Sequence, residues 1–272
     1  MSNQQSVDKN KRREEARAKA LEIKKEQERR ERRSRMVILA AVIAGLALVV
    51  ALAVIILRQA PSTIPSDITS MPADVEAPAN ASTDDGSFAL YQGEVVTELP
   101  ADVPVLDLYL DFMCSHCANF ETIHNDWLMG KQESGELVVR LHPIAILGAS
   151  ESYVRGSTYA ALLEKDLDKA QQFASWAFIN QTATGMGTTA QADYLKSIGV
   201  SDQDAEAATS GKYERFIQAA STVTLNTPEL RDESGSFGTP AIFFDGDRVT
   251  SSYIEAEAWQ ADVEERIAAA AN

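Results

Sequence analysis

PVLDLYLDFMCSHC, Pro104 to Cys117, changes its period half-way along. As far as Phe112 it alternates. Leu106, Leu108 and Leu110 share one face and Asp107, Tyr109 and Asp111 the other, which predicts a strand over 104–112. From Cys114 to about Met129 the pattern is helical. Cys114 therefore stands where a helix begins. There the unpaired N–H groups and the positive end of the dipole favour a thiolate. Cys117 lies one turn further on, near enough to close a small disulfide ring. His116, protonated or donating a hydrogen bond, stabilises the thiolate further. A lowered thiol pKa makes Cys114 a good leaving group and its disulfide more oxidising.

These are the only two cysteines in 272 residues, too few for a disulfide-scaffolded mini-protein or a four-cysteine zinc site. Three other readings compete with thiol–disulfide exchange. A purely structural disulfide would close so short a ring that it restrains the unfolded chain little. A metal site on Cys114, His116 and Cys117 would need His124 or His142 as a fourth ligand, and the spacing is not of the zinc type. The third is coincidence.

Downstream, Gly135 is a breaker and Glu136–Ile146 a second strand disturbed by Pro143. About 150–225 is helical throughout. Tyr159, Leu162 and Leu163 mark one helix, and Phe173, Trp176, Ala177 and Ile179 the apolar face of the next. Tyr194, Leu195 and Ile198 mark a third. Ser201 followed by Asp204 caps a fourth, and Tyr213, Phe216 and Ile217 belong to a fifth. Ala241–Phe244 is a strand that Asp245-Gly246-Asp247 turns into another, Arg248–Ser251. A closing helix over Ile254–Ala271 puts Trp259, Val263 and Ile267 on one face. The expected fold class is α/β.

Upstream, Phe88–Thr97 reads as a first strand. Residues 58–87 contain Pro61, Pro65, Pro72 and Pro78 among small polar residues, and read as a flexible linker unable to bury a core. Met36–Leu57 is 22 residues without a charge. As a helix it spans about 33 Å, enough for a hydrocarbon core of about 30 Å. Ala16–Arg35 carries nine Lys or Arg, whereas the 20 residues after the run carry only Arg58. The basic side stays in the cytoplasm, and with Arg58 at the exit there is no signal-cleavage site. The reading is a single-pass plasma-membrane protein with a cytoplasmic basic tail over 1–35, a transmembrane helix over 36–57 and an extracytoplasmic domain over 88–272. The formal charge of −15 is thus an average over a tail of +6, a neutral run and an outer part of −21. An acidic outer domain excludes nucleic acid as its partner.

Asp111-Phe112-Met113-Cys114-Ser115-His116-Cys117 resembles the DFxCPxC region of DsbA-like thioredoxin-fold proteins. Gly238–Gly246, GTPAIFFDG, resembles the segment of that family whose proline is cis and faces the cysteine pair. The resemblance covers about 88–272 and implies a thioredoxin-like fold with an inserted helical subdomain. Residue by residue it implies that Cys114 is the exposed nucleophile, Cys117 the buried resolving thiol and His116 a tuner of Cys114. Pro240 shapes a groove, and Thr239 offers its backbone to an extended substrate. Phe112 and Asp111 fit the DFxC pattern. For Asp111 a capping or surface carboxylate and a proton-transfer role stay equally open. There are departures. Ser115 replaces the usual proline. Leu108 stands where some members carry a buried acid. Thr239 stands where oxidases often have Val and some isomerases and reductases have Thr.

The expectation is a membrane-anchored oxidase that introduces disulfides into exported proteins with reduced cysteines, re-oxidised by a quinone-linked membrane partner. It needs no cofactor or metal beyond the Cys114–Cys117 disulfide. A cell-envelope reductase or isomerase is the alternative, and a non-catalytic thioredoxin-fold binding module the rival from another class.

Overall fold

The computed structural model describes residues 64–181 and 187–270. The expected basic tail, the transmembrane run Met36–Leu57 and the first part of the linker lie outside them. Among the described residues no helix is long and apolar enough to cross a membrane.

The strand read from 104–112 is β3, Val105–Leu110, numbered after β1, Phe88–Tyr91, and β2, Glu94–Val96. Helix α1, Ser115–Glu133, follows it and runs one turn beyond expectation before Gly135, at φ 76°, stops it. Strand β4, Val138–Pro143, then returns parallel to β3. Parallel neighbours require a crossover, which α1 supplies. β4 ends at Pro143, three residues short of expectation, because proline has no N–H to continue a ladder. Strands β5, Ala241–Phe244, and β6, Asp247–Arg248, complete a sheet of order β2-β1-β4-β3-β5-β6. β6 begins a residue before the expected strand, because the turn is only Asp245-Gly246, both at positive φ, and it ends at Arg248, three residues short of the expected Ser251. Helix α7, Ala256–Ala270, closes the domain by burying Trp259 and Val263.

Between β4 and β5 lie the five expected helices: α2, Ser150–Leu163; α3, Leu167–Ile179; α4, Thr188–Ser197; α5, Asp202–Ala208; and α6, Glu214–Asn226. The Ser201 hydroxyl accepts from the Asp204 N–H at 3.1 Å, as the cap required. Ile179, expected on the apolar face of α3, is instead 78% exposed, because the helix ends there and its last residue falls off the buried stripe.

Two expectations are corrected. Phe88–Thr97 is a hairpin, with Ala89 opposite Val96. Gln92 and Gly93 have φ of 52° and 78°, the left-handed pair that a tight two-residue turn needs. The linker is corrected from Ile64 onward. Residues 64–87 contain no helix or strand, yet Val75 is buried, and Ile64, Ile68 and Met71 pack against the core. Their backbone is held by side chains of the domain. The Asn226 amide donates to the Ser66 and Ile68 carbonyls at 2.9 and 2.8 Å. The Ala79 N–H donates to Glu164 at 3.0 Å. A few apolar anchors with fixed hydrogen bonds hold a proline-rich segment that has too little apolar surface to fold alone.

Both faces of β3 are buried. Leu106 and Leu108 join the main core with Phe120 and Leu128 of α1. On the other face Asp107 sits opposite Arg140 in the β4 register and forms a bidentate pair with it, while His142 Nε2 lies 2.7 Å from the same carboxylate. Burial alone would raise the Asp107 pKa, but the His142 and Arg140 hydrogen bonds outweigh it and hold it below its ordinary value.

Candidate active site

The chain leaves β3 through a turn built on Asp111. Its backbone carbonyl accepts from the Cys114 N–H at 2.9 Å, and its carboxylate accepts from the Met113 N–H at 2.9 Å. The carboxylate is fully buried and takes three more donors: the N–H groups of Ile146 and Leu147 at 2.9 and 3.0 Å and the Ser152 hydroxyl at 2.6 Å. A surface role for Asp111 is therefore corrected, since its oxygens tie the turn to the loop after β4 and to α2. Phe112 enters the core, stacked on Phe178 of α3 with ring centroids 4.8 Å apart.

Cys114 is the extended N-cap of α1, and its carbonyl accepts the first helical bond, from Ala118 at 3.1 Å. Ser115 and His116 are exposed in the first turn. Cys117 is fully buried, the expected exposure of Cys114 is corrected because it is only 6% exposed, and both are free thiols. The Cys114 Sγ lies 3.2 Å from the Thr239 carbonyl. The Thr239–Pro240 bond is cis, so the loop before β5 and the start of α1 meet at this sulfur.

The two sulfurs are electrostatically opposite. The Cys114 pKa is lowered from 9.0 to about 5. A hydrogen bond from the Cys117 thiol is the largest cause. Burial opposes it, and the Thr239 hydroxyl and the N–H groups of Cys117 and His116 assist. Burial pushes Cys117 far up, and the hydrogen bond it gives to Cys114 pushes in the same direction. The Thr239 hydroxyl is buried without a hydrogen-bond partner of standard geometry, yet it favours the thiolate at both sulfurs. His116 acts on Cys114 through its backbone N–H, while its imidazole Nδ1 lies 3.2 Å from the Tyr253 hydroxyl.

Cys114, Cys117, His116, Thr239 and Pro240 thus come together, with Asp111 and Phe112 anchoring the turn behind them. Three neighbours escaped the sequence reading. Tyr253 partners His116, and its own carbonyl is fixed by His124 Nε2 at 2.7 Å. Gln181 donates to the carbonyls of Phe112 and Cys114. Glu121, one turn beyond Cys117, is a buried carboxyl raised to about 7 by burial. Its signal was a charged residue on the inward stripe of α1. Leu108 is buried in the core. Among the described residues no group of three or more His, Cys, Asp or Glu side chains is placed to hold a metal. His124 and His142 are bonded elsewhere, to Tyr253 and Asp107.

A sequence model described as thioredoxin matches residues 99–265. The chain belongs to the thioredoxin family. The matched span leaves residues 64–87 and the β1–β2 hairpin of this thioredoxin-family protein outside it. No curated protein matches it in sequence. Solved structures do match in fold. MdbA from Corynebacterium diphtheriae, a thiol-disulfide oxidoreductase, is 21% identical with a TM-score of 0.53, over 66% of this chain and 93% of that one. MdbA from Actinomyces oris, a thiol-disulfide oxidoreductase, is 20% identical with a TM-score of 0.54, over 68% and 87%. BdbD from Bacillus subtilis is 13% identical with a TM-score of 0.51, over 66% and 91%.

Proposed function

We propose that this protein is a membrane-anchored, extracytoplasmic thiol–disulfide oxidoreductase that acts as an oxidase through Cys114 and Cys117. The observation that carries the reading is the inequality of the two sulfurs at the start of α1, with Cys114 at about 5 and Cys117 driven the other way. The oxidised pair reacts in two displacements. A substrate thiolate attacks Cys114 Sγ, the Cys114–Cys117 bond breaks, and Cys117 leaves and takes a proton, as its high pKa dictates. A second substrate thiolate attacks the substrate sulfur of the mixed disulfide, and Cys114 leaves as a stable thiolate. The substrate loses two electrons and gains a disulfide, and the enzyme ends as a dithiol. The Thr239 carbonyl beside Cys114 suits an extended substrate segment.

Turnover needs an electron acceptor, here a quinone-linked membrane protein, and the substrates are exported proteins with reduced cysteines. The anchor is Met36–Leu57, supported by its length and the basic flank before it. Cys114→Ala is expected to abolish both insulin reduction and dithiol-peptide oxidation. Retention of both activities would exclude the mechanism. Thr239 favours a second reading, a reductase or isomerase. Trapping thiols in growing cells separates the two, with mostly disulfide expected for an oxidase and mostly thiol for a reductase.

A further inference from the structure

We propose that Gln181 is a positioning residue for thiol exchange, holding the turn that presents Cys114 by donating hydrogen bonds to the carbonyls on either side of Met113. The inference rests on the reading of Cys114 as the exchanging sulfur. The Gln181 Nε2 lies 2.9 Å from the Phe112 carbonyl and 2.8 Å from the Cys114 carbonyl, so one amide brackets the step from β3 into α1. The Cys114 carbonyl is also the acceptor of the first helical bond. Fixing it fixes the first turn, whose His116 and Cys117 N–H groups favour the Cys114 thiolate. The amide also sets the positive end of its dipole against a carbonyl next to the sulfur. Both effects act in the same direction.

Gln181 is itself seated. It follows the end of α3, whose Phe178 stacks on Phe112. Arg155 of α2 is fully buried, and its guanidinium donates to the Ala177 carbonyl at 2.7 Å and the Asn180 carbonyl at 3.2 Å. A cation on the terminal carbonyls is what a helix C-terminus favours. The Asn180 amide adds a bond to the Trp176 carbonyl at 2.8 Å. The chain of contacts runs from Arg155 through the last turn of α3 to Gln181 and so to the turn before Cys114. By this route two helices outside the sheet set the geometry of the redox motif.

The test uses the full-length protein, whose two thiols are the only ones contributing to ultraviolet thiolate absorbance. Gln181→Met keeps the length and removes the donors. The Cys114 titration is expected to move up by about one pH unit, and the equilibrium with glutathione about tenfold toward the disulfide. Gln181→Lys restores a donor and adds a positive charge near the thiolate, so its titration is expected at or below the wild-type value. Thermal unfolding reads any purely structural contribution separately. The proposal is overturned if Gln181→Met lowers the unfolding temperature but leaves the titration unmoved, or if Gln181→Lys shifts up as far as Gln181→Met. Should Gln181→Met fail to fold, Gln181→Glu decides. It turns the donor into an acceptor, and an unmoved titration there overturns the proposal equally. A wild type that exchanges no thiols would instead overturn the functional reading.

Discussion

At Cys114 the stabilised species is the thiolate, and each donor aimed at it favours the reduced protein over the disulfide. Thr239 contributes a hydroxyl that is buried without a hydrogen-bond partner of standard geometry and that lowers the Cys114 pKa. Thr239→Val keeps the shape and removes that donor. The Cys114 titration is expected to rise by roughly half a unit to one unit, with the disulfide correspondingly less oxidising. The folded state is expected to be no less stable, because the variant no longer buries an unsatisfied hydroxyl. Thiolate absorbance against pH and denaturant unfolding check the two halves of this outcome. Cys114, Cys117 and His116 were legible because they share one turn. Pro240 and Thr239 became legible only through the resemblance. Tyr253 and Gln181 were not, since they reach the motif from 137 and 67 residues away and nothing local marks them.

Helix α1 carries the motif at its start and a buried carboxyl one turn beyond Cys117. Glu121 faces α3, where the Ser175 hydroxyl at 3.3 Å is its weak partner. Burial, chiefly, raises its pKa from 4.5 to about 7, with Asp126 adding to the effect. The folded state therefore holds this proton more tightly than the unfolded chain. The stabilisation linked to Glu121 is complete below about pH 4.5 and falls away as pH rises to about 7. Glu121→Gln removes that dependence. Its unfolding free energy relative to wild type is expected to improve by about 2 kcal/mol between pH 5 and pH 8. Denaturant titrations of both proteins at the two pH values measure it, and a constant difference would rule out a buried, protonated carboxyl. The helices of the insertion were readable because each carries an apolar stripe at helical period. The β1–β2 hairpin was not, because its turn is Gln92-Gly93 rather than an Asn-Gly or Asp-Gly pair. Alternation in β3 gave the two faces correctly. It could not show that the face of Asp107 is also buried, since Arg140 and His142, which make that burial tolerable, lie on β4.

Across the whole domain the largest departure from expectation is residues 64–87, whose composition reads as a solvated linker. Composition measures how much apolar surface a segment has, not whether a preformed surface waits for it. Here α6 and the end of α2 provide that surface. Val75 is buried in the main core, Gly86 at φ 76° lets the chain pass close to Phe216 and Ala220, and Asn80 donates to the Leu163 carbonyl at 2.8 Å. Ion pairs of Glu76 with Lys212 and Asp74 with Arg215 lie at the exposed rim and add little. The proline-rich stretch from Ile64 is thus a clasp belonging to the domain. A fragment beginning at residue 88 loses one buried valine, several half-buried apolar side chains and the hydrogen bonds of Asn80 and Asn226. A loss of about 4 kcal/mol follows from the apolar area and bonds removed, or roughly 10 °C in Tm for a domain of this size. The hydrogen bonds described between the clasp and the rest of the domain run to Glu164, Leu163 and Asn226 and not to Cys114, Cys117 or Thr239. The Cys114 titration in the fragment is therefore expected to match that of a fragment beginning at residue 64. Calorimetry and thiolate absorbance on the two fragments separate stability from chemistry. Equal melting temperatures would show that the segment carries no weight in the fold.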